Sequence, residues 1–486
     1  MTTESPTRDG REPALRRELR FWEAIALSIA IMAPTAAMAL NGVAIAGLIG
    51  PGVPLAFLFA LVGVLFVSYA FVQLTREVQH AGSVYAFVGF TLGPRAGVLA
   101  GWALLGTYLA FTAASTAEVG LFFTSFLSST GISSSADWIW ISLVAGVIIA
   151  AIAYGDVRVA ARSLLTMEGI SVALIVILVV VIFARLIVGD VPGDHSAHLT
   201  DAFSLPPGTS LDAVATAAVF GFLSFAGFEG AAALGEETDA PGRNIPRAVF
   251  LAPLGVGIFY LFVILAQTLG FGTDTAGVKA FASSTSPLGD LSKTYVGATL
   301  EDAINLGAAI SAFASALGTA TAGSRVMYAL SRDALPRSPL ARVSPRTGSP
   351  AGALTVVMIV AFAVMIGQRL AGVSAANAFF YPGTIGVLSL LVAYIATNVG
   401  AVRHLFIQAR RRPLWEIVLP IIGIAFLLFT IYKNVKGTSF PYDRFPWLVL
   451  AWLVVGAVAI VLAPGAARRV GAALTREVGS DPPERG

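Results

Sequence analysis

Apolar runs of about 20 residues recur from residue 22 to residue 463, separated by short polar segments in which arginine is frequent. A helix rising about 1.5 Å per residue crosses the roughly 30 Å hydrocarbon core of a bilayer in a run of that length. Twelve spans are expected, near 22–48, 53–74, 95–126, 137–155, 162–188, 211–234, 247–272, 302–331, 350–368, 376–402, 415–434 and 445–463. The pattern predicts an all-α integral membrane protein, with a polar arm at 1–21 and a polar tail at 464–486. The arm leads into an apolar span too long for the core of a cleaved signal.

Two spans are interrupted. The first carries Ile31-Met32-Ala33-Pro34-Thr35-Ala36-Ala37. Pro34 lacks an amide hydrogen and blocks one helical bond. The amides of Ala36 and Ala37 then head an outer half-helix, where the partial positive charge favours an anionic group. A packing kink is the alternative use of such a proline. The sixth span runs through Ser224 and Phe225 to a small-residue break at Ala226-Gly227, followed by Phe228 and Glu229. An acid beside a glycine break is costly in hydrocarbon and tolerated where freed backbone lines a protein-enclosed cavity.

Each interrupted span opens a unit of five, and because five is odd the second unit is expected to be inverted. Interrupted segments at corresponding positions of two halves point to a transporter's binding site. The expected organisation is a first repeat over 22–188, a second over 211–402, and two further spans within 415–463. Identity between the halves is not visible; the repeat rests on span count and break position.

Composition agrees with this reading. The chain is 56% hydrophobic and only 12% charged, with mean hydropathy +0.81; a soluble protein carries about twice that charge. With the N-terminus inside, 23 of the 31 basic residues fall on cytoplasmic segments and seven outside, with Arg325 within a span. That asymmetry predicts a multi-pass cell-membrane protein with both termini cytoplasmic. Cysteine is absent, which removes disulfides and thiolate metal sites. The sequence pI of about 9.2 does not point to nucleic acid, because the basic residues form no stripe. The outer loop at 273–301 is long enough for short helices over a vestibule, and Trp138, Trp140, Trp415 and Trp447 stand at span ends as interfacial anchors.

Three motifs carry a family resemblance. One is Gly227-Phe-Glu and, after one further residue, Ala-Ala-Ala-Leu-Gly-Glu-Glu-Thr-Asp-Ala-Pro-Gly-Arg-Asn-Ile-Pro-Arg-Ala. The second is His80-Ala-Gly-Ser-Val-Tyr85, then Leu92-Gly93-Pro94 and Gly101-Trp102. The third runs from Ser324-Arg325 through Tyr328, Leu330 and Arg332-Asp333 to Ala341-Arg342-Val343 and Gly348-Ser349-Pro350. In order and spacing these resemble the amino acid–polyamine–organocation permeases. The resemblance implies two inverted five-helix repeats plus two helices, with substrate at the unwound parts of helices one and six. In two places the chain departs from that pattern. Ala33-Pro34-Thr35-Ala36 stands where many members have a Gly-Ser-Gly-like break, so side chains replace open backbone that usually captures an α-carboxylate. Ser171 stands where proton-coupled bacterial members often carry a lysine, so lysine-based coupling is not implied.

The candidate substrate site is therefore Ala33, Pro34, Thr35, Ala36, Ala37, Ser224, Phe225, Ala226, Gly227, Phe228 and Glu229, with Tyr108 from the third span. Glu229 is placed to attract an ammonium group or to take a proton coupled to transport, or to satisfy free amides of its own helix. Gating and coupling candidates are Glu229, Glu168, Ser171, Ser311, Ser315, Thr319 and Tyr381. Glu168 and Glu118 either line the path or are paired within the protein. Ser311, Ser315 and Thr319 recur every four residues; their hydroxyls suit Na⁺ beside a broken helix, or plain helix–helix hydrogen bonding. His195 and His198 have metal-ligand chemistry but no second ligand pair, so neither metal nor cofactor is expected.

No P-loop and no nucleophile–base set appears within the spans, which argues against an enzyme. A channel should show a continuous polar pore face, and none is seen. The expected function is secondary active transport of an amino acid by alternating access, coupled to H⁺ or Na⁺ or running as an exchanger. A polyamine or other organic amine is the alternative substrate.

Overall fold

The computed structural model describes residues 20–78, 84–133, 135–155, 157–192, 197–234, 238–334, 337–344, 346–408, 412–463, 465 and 469, excepting the side chains of 23, 27, 157–163, 233 and 234. The N-terminal arm, His80 to Ser83 of the second motif, Asp194 with His195, Glu236 with Glu237, and nearly all of the tail lie outside the described residues. The described residues form helices joined by turns. Nine stretches among them are long and apolar enough to cross a membrane, the first being Ala24–Glu77. Two shorter apolar helices, Trp138–Tyr154 and Leu211–Phe225, accompany them.

The first stretch is three helices: α1 (Phe21–Met32), α2 (Pro34–Ile49) and, after a turn at Gly50–Gly52, α3 (Val53–Glu77). There follow α4 (Val84–Leu92), α5 (Pro94–Ser129), α6 (Trp138–Tyr154) and α7 (Val157–Val188). The sixth span is α8 (Leu211–Phe225), a break, and a 3₁₀ segment, Phe228–Leu234; α9 (Pro241–Phe271) comes next. The outer loop holds α10 (Thr275–Ser283) and α11 (Pro287–Tyr295), both resting on α2. The chain closes with α12 (Ala298–Ala334), α13 (Ala351–Leu370), α14 (Ala375–Ala401), α15 (Val418–Lys436) and α16 (Phe445–Leu462).

These helices pack in two groups. One joins α1, α2, α3, α8 and α9, and the other joins α5, α6, α12 and α13. α14 lies against α5, and α7 against α12. Small residues permit the closest approaches. Gly97 of α5 meets Gly89 of α4, and Gly101 meets Tyr85 and Leu330. There the second and third motifs come together: the Tyr85 hydroxyl donates to Asp333 Oδ2 at 3.0 Å, and Asp333 is also paired with Arg332. On α5 and α16, Trp102 and Trp452 stack with centroids 4.3 Å apart, and each indole N–H donates to the other's backbone carbonyl. Both half-buried indoles are thereby satisfied.

Large apolar side chains left exposed, such as Val144 and Val147 of α6, Val176 and Val180 of α7, and Val454 and Val458 of α16, suit contact with lipid. Trp140, Trp415 and Trp447 are exposed, in keeping with an interfacial position, but Trp138 is buried. It differs from the expected anchor in lying where α6 packs closely on α5, its backbone carbonyl and Ser142 against Gly120.

Candidate functional site

The two breaks are built differently and meet face to face. In the first, Ala33 takes a left-handed conformation (φ 43°, ψ 66°), rare for a residue with a Cβ, and Pro34 begins α2. In the second, Gly227 sits at φ 102°, open to glycine without strain. A Cβ at Gly227 would overlap Ile31 Cγ2, so this glycine is also what lets the broken segments touch. Ser28 of α1 stitches the inner halves together: its hydroxyl donates to the Phe228 carbonyl at 3.0 Å and accepts from the Ala231 amide at 2.9 Å. From α9, the Tyr260 hydroxyl donates to the Ser224 carbonyl at 2.9 Å, with the Met32 carbonyl 3.4 Å away. One phenol thus serves freed carbonyls of both breaks.

At the head of α2 the structure departs from the expected open amides. The Thr35 amide donates to Glu168 Oε1 at 2.8 Å, Ala36 donates to Ser311 Oγ at 3.2 Å, and Ala37 donates to the Ala33 carbonyl at 3.0 Å. The half-helix dipole already faces a carboxylate, supplied by α7. A helix N-terminus binds an anion through just these amides, and here the protein provides it.

A small cavity opens beside the breaks. It is lined by Ala33, Ala36 and Ala37 from the first span, Ala226 from the sixth, and Ser315 and Thr319 from α12. Four more lining residues give it character: Asn41, Glu118, Phe111 and Phe379. Pro34, Thr35, Ser224, Phe225, Gly227, Phe228, Glu229 and Tyr108 are not among the lining residues. Ser224 stands directly behind the wall, its hydroxyl accepting from Asn41 Nδ2 at 2.7 Å and donating to the Phe220 carbonyl. Asn41 was legible as a lone amide in an apolar run; Phe111 and Phe379 had nothing to distinguish them from packing.

Glu229 has a different setting. Its Oε2 accepts from the Tyr394 hydroxyl of α14 at 2.5 Å, a short charge-assisted contact if the acid is ionised. Phe71, Phe228 and Tyr394 meet edge to face around it, with centroids 5.3–5.4 Å apart. Glu229 and Tyr394 thus form a buried polar pair in an aromatic collar. Sequence reasoning missed Tyr394, one tyrosine among several in apolar spans.

The remaining candidates have partners within the protein, and of them Ser315 and Thr319 also line the cavity. Ser171 donates to the Met167 carbonyl and fills the space opposite Gly307 of α12. Ser315 pairs with Ser115 at 3.1 Å, and Thr319 donates to carbonyls of its own helix while Thr112 donates to it. Tyr381 lies edge-on to Tyr442 and against Phe445, near the outer ends of α15 and α16 and away from the breaks. Among the described residues no three His, Asp or Glu side chains cluster as metal ligands.

The chain has counterparts among known sequences. The family model for amino acid permeases matches residues 23–463. The chain belongs to the amino acid permease family. The permease is similar to the low-affinity putrescine importer PlaP of Escherichia coli, 25% identical over 455 residues that cover 91% of this chain and 93% of the relative. It is similar to the branched-chain amino acid permease BcaP of Bacillus subtilis, 26% identical over 350 residues, 70% of this chain and 72% of the relative. An uncharacterized transporter of Mycobacterium tuberculosis, Rv1999c, is 27% identical over 420 residues, 86% of this chain and 87% of the relative. The permease is a transporter and not an enzyme.

Proposed function

We propose that the permease is a secondary active transporter that moves small organic amines across the cell membrane by alternating access. The observation that carries the choice of amine is Glu168 Oε1 on the Thr35 amide. A substrate's carboxylate would have to displace a resident carboxylate from the head of α2, and like charges meeting there are costly. An amine meets no such competitor. The similarity to a putrescine importer supports this reading, and the similarity to a branched-chain amino acid permease keeps an amino acid as the second.

The architecture behind the proposal is twelve spans in two inverted repeats with cytoplasmic termini. Counting the first stretch as two at the Gly50–Gly52 turn, and adding the two shorter apolar helices, brings the nine to that number. Helices α1, α2, α3, α8 and α9 are the moving group, α5, α6, α12 and α13 the scaffold. Glu229 joins the moving group to α14 through Tyr394, so this hydrogen bond is a closure on the inner side that must part when the cavity opens inward. A proton is the coupling ion: the hydroxyls of Ser311, Ser315 and Thr319 are engaged with protein partners, whereas Glu229 can trade its bond to Tyr394 for a proton.

The experiment is competition in proteoliposomes. Amines should compete for uptake where amino acids of similar size do not, and uptake should follow an imposed pH gradient and ignore a sodium gradient. Competition by amino acids alone, or dependence on sodium, would overturn the corresponding part.

A further inference from the structure

The residues lining the cavity include two acceptor oxygens without a partner among the described residues. Glu118 of α5 is 3% exposed and Asn41 of α2 is 1% exposed, and both line the cavity. Glu118 Oε1 and Asn41 Oδ1 are buried without a hydrogen-bond partner. One amide hydrogen of Asn41 goes to Ser224. The hydroxyl of Ser115, which also lines the wall, is engaged with Ser315. Buried polar atoms in proteins are nearly always bonded, and an unpartnered pair on one cavity calls for an explanation. A carboxylate placed there for stability alone would be paired. Of the other two buried acids near the breaks, Glu168 holds the Thr35 amide through Oε1, its Oε2 being unpartnered among the described residues, and Glu229 holds Tyr394; neither lines the cavity.

We propose that Glu118 and the amide oxygen of Asn41 form the subsite that receives the ammonium group of the substrate. An ammonium carries three donors and no acceptor, the complement of what the two side chains offer. The aromatic walls, Phe111 and Phe379, suit the apolar stem and the cation beside it. The inference rests on the amine reading above and assigns its contact residues. It divides the work between the two acids: Glu118 holds the substrate's charge, while Glu229 belongs to the closure.

The test is counterflow of labelled putrescine in proteoliposomes holding wild-type protein or Glu118→Gln, which keeps the volume and removes the charge. The expected result is a KM raised by at least about tenfold, the scale of losing one partner of a buried charge contact, with kcat changed far less. Wild-type protein that carries putrescine, with an unaltered KM in Glu118→Gln, would overturn the subsite alone. Wild-type protein that carries leucine and no amine would overturn the amine reading instead. If Glu118→Gln is not recovered in the membrane, the cysteine-free chain permits a second measurement. In Ala114→Cys, on the cavity wall, a cationic methanethiosulfonate should react at least about tenfold faster than an anionic one, and putrescine should slow it. Equal rates without protection would contradict the subsite.

Discussion

At the scale of single residues, the account turns on which polar groups are committed and which are open. Gly227 is committed by geometry, since its φ of 102° and the contact with Ile31 leave no place for a methyl group. Gly227→Ala should destabilise the protein by roughly 1–3 kcal/mol and depress uptake. A melting temperature and an uptake rate like wild type would show that the breaks need not touch. Glu229 and Tyr394 share one bond, so Glu229→Gln and Tyr394→Phe should fall on the same step. Each should lower uptake by about ten- to hundredfold, the kinetic equivalent of roughly 1.5–3 kcal/mol for a hydrogen bond to a charged group. A double variant no worse than either single would show that they act as a unit, and full additivity would contradict it.

The residues behind these predictions differed in how readable they were. Pro34 and the Ala226-Gly227-Phe228-Glu229 run announce themselves, because proline, glycine and an acid are conspicuous in an apolar helix. Glu118 is conspicuous too, but whether it lines the path or is paired could not be read from the chain, and Tyr394 does not stand out at all. A partner 165 positions away and a cavity wall shared by six helices are properties of packing, which periodicity does not encode.

At the scale of elements, the head of α2 is the decisive feature. Sequence reasoning located the break and the direction of its dipole, and it expected open amides; α7 fills one with Glu168 and α12 another with Ser311. That cross-span contact, 133 residues apart, has no local signal. Glu168→Ala should free the Thr35 amide and let amino acids compete for amine counterflow. An unchanged competition profile would show that the cap does not govern selectivity.

A second element contact joins the end of α13 to the start of α6. Arg369 at the end of α13 donates from Nε and Nη2 to Asp137 Oδ2, at 2.9 and 2.7 Å, while Asp137 caps α6 through the Ile139 amide. The Arg369 hydrogen bond, aided by the cap and the guanidinium charge, holds the Asp137 carboxyl below its ordinary range, although partial desolvation opposes them. A depressed folded-state pKa stabilises above the unfolded value and is lost as pH falls through the folded one. Asp137→Asn should therefore lower thermal stability slightly at neutral pH, and the gap to wild type should close in acid; a gap that persists would place its cause elsewhere. The contribution is small because Arg369 is exposed and Asp137 only half-buried.

At the scale of the whole molecule, two helix groups enclose one cavity whose sides belong to both, an arrangement suited to exposing a site alternately to either face. The apolar runs made the all-helical membrane architecture legible, since a bilayer imposes one length on every crossing. They could not assign helices to groups, because an apolar face looks alike whether it meets lipid or protein. The outer loop's short helices were foreseen from its length, and they lie on α2, the half-helix that carries Asn41.

The central claim is that a solute occupies this cavity and is handed across by a moving site. Counterflow tests it most directly: purified permease in vesicles preloaded with unlabelled putrescine should take up labelled putrescine faster than in empty vesicles and transiently against its gradient. Uptake indifferent to preloading, simply relaxing to equal concentrations, would be conduction through a pore and would contradict the account.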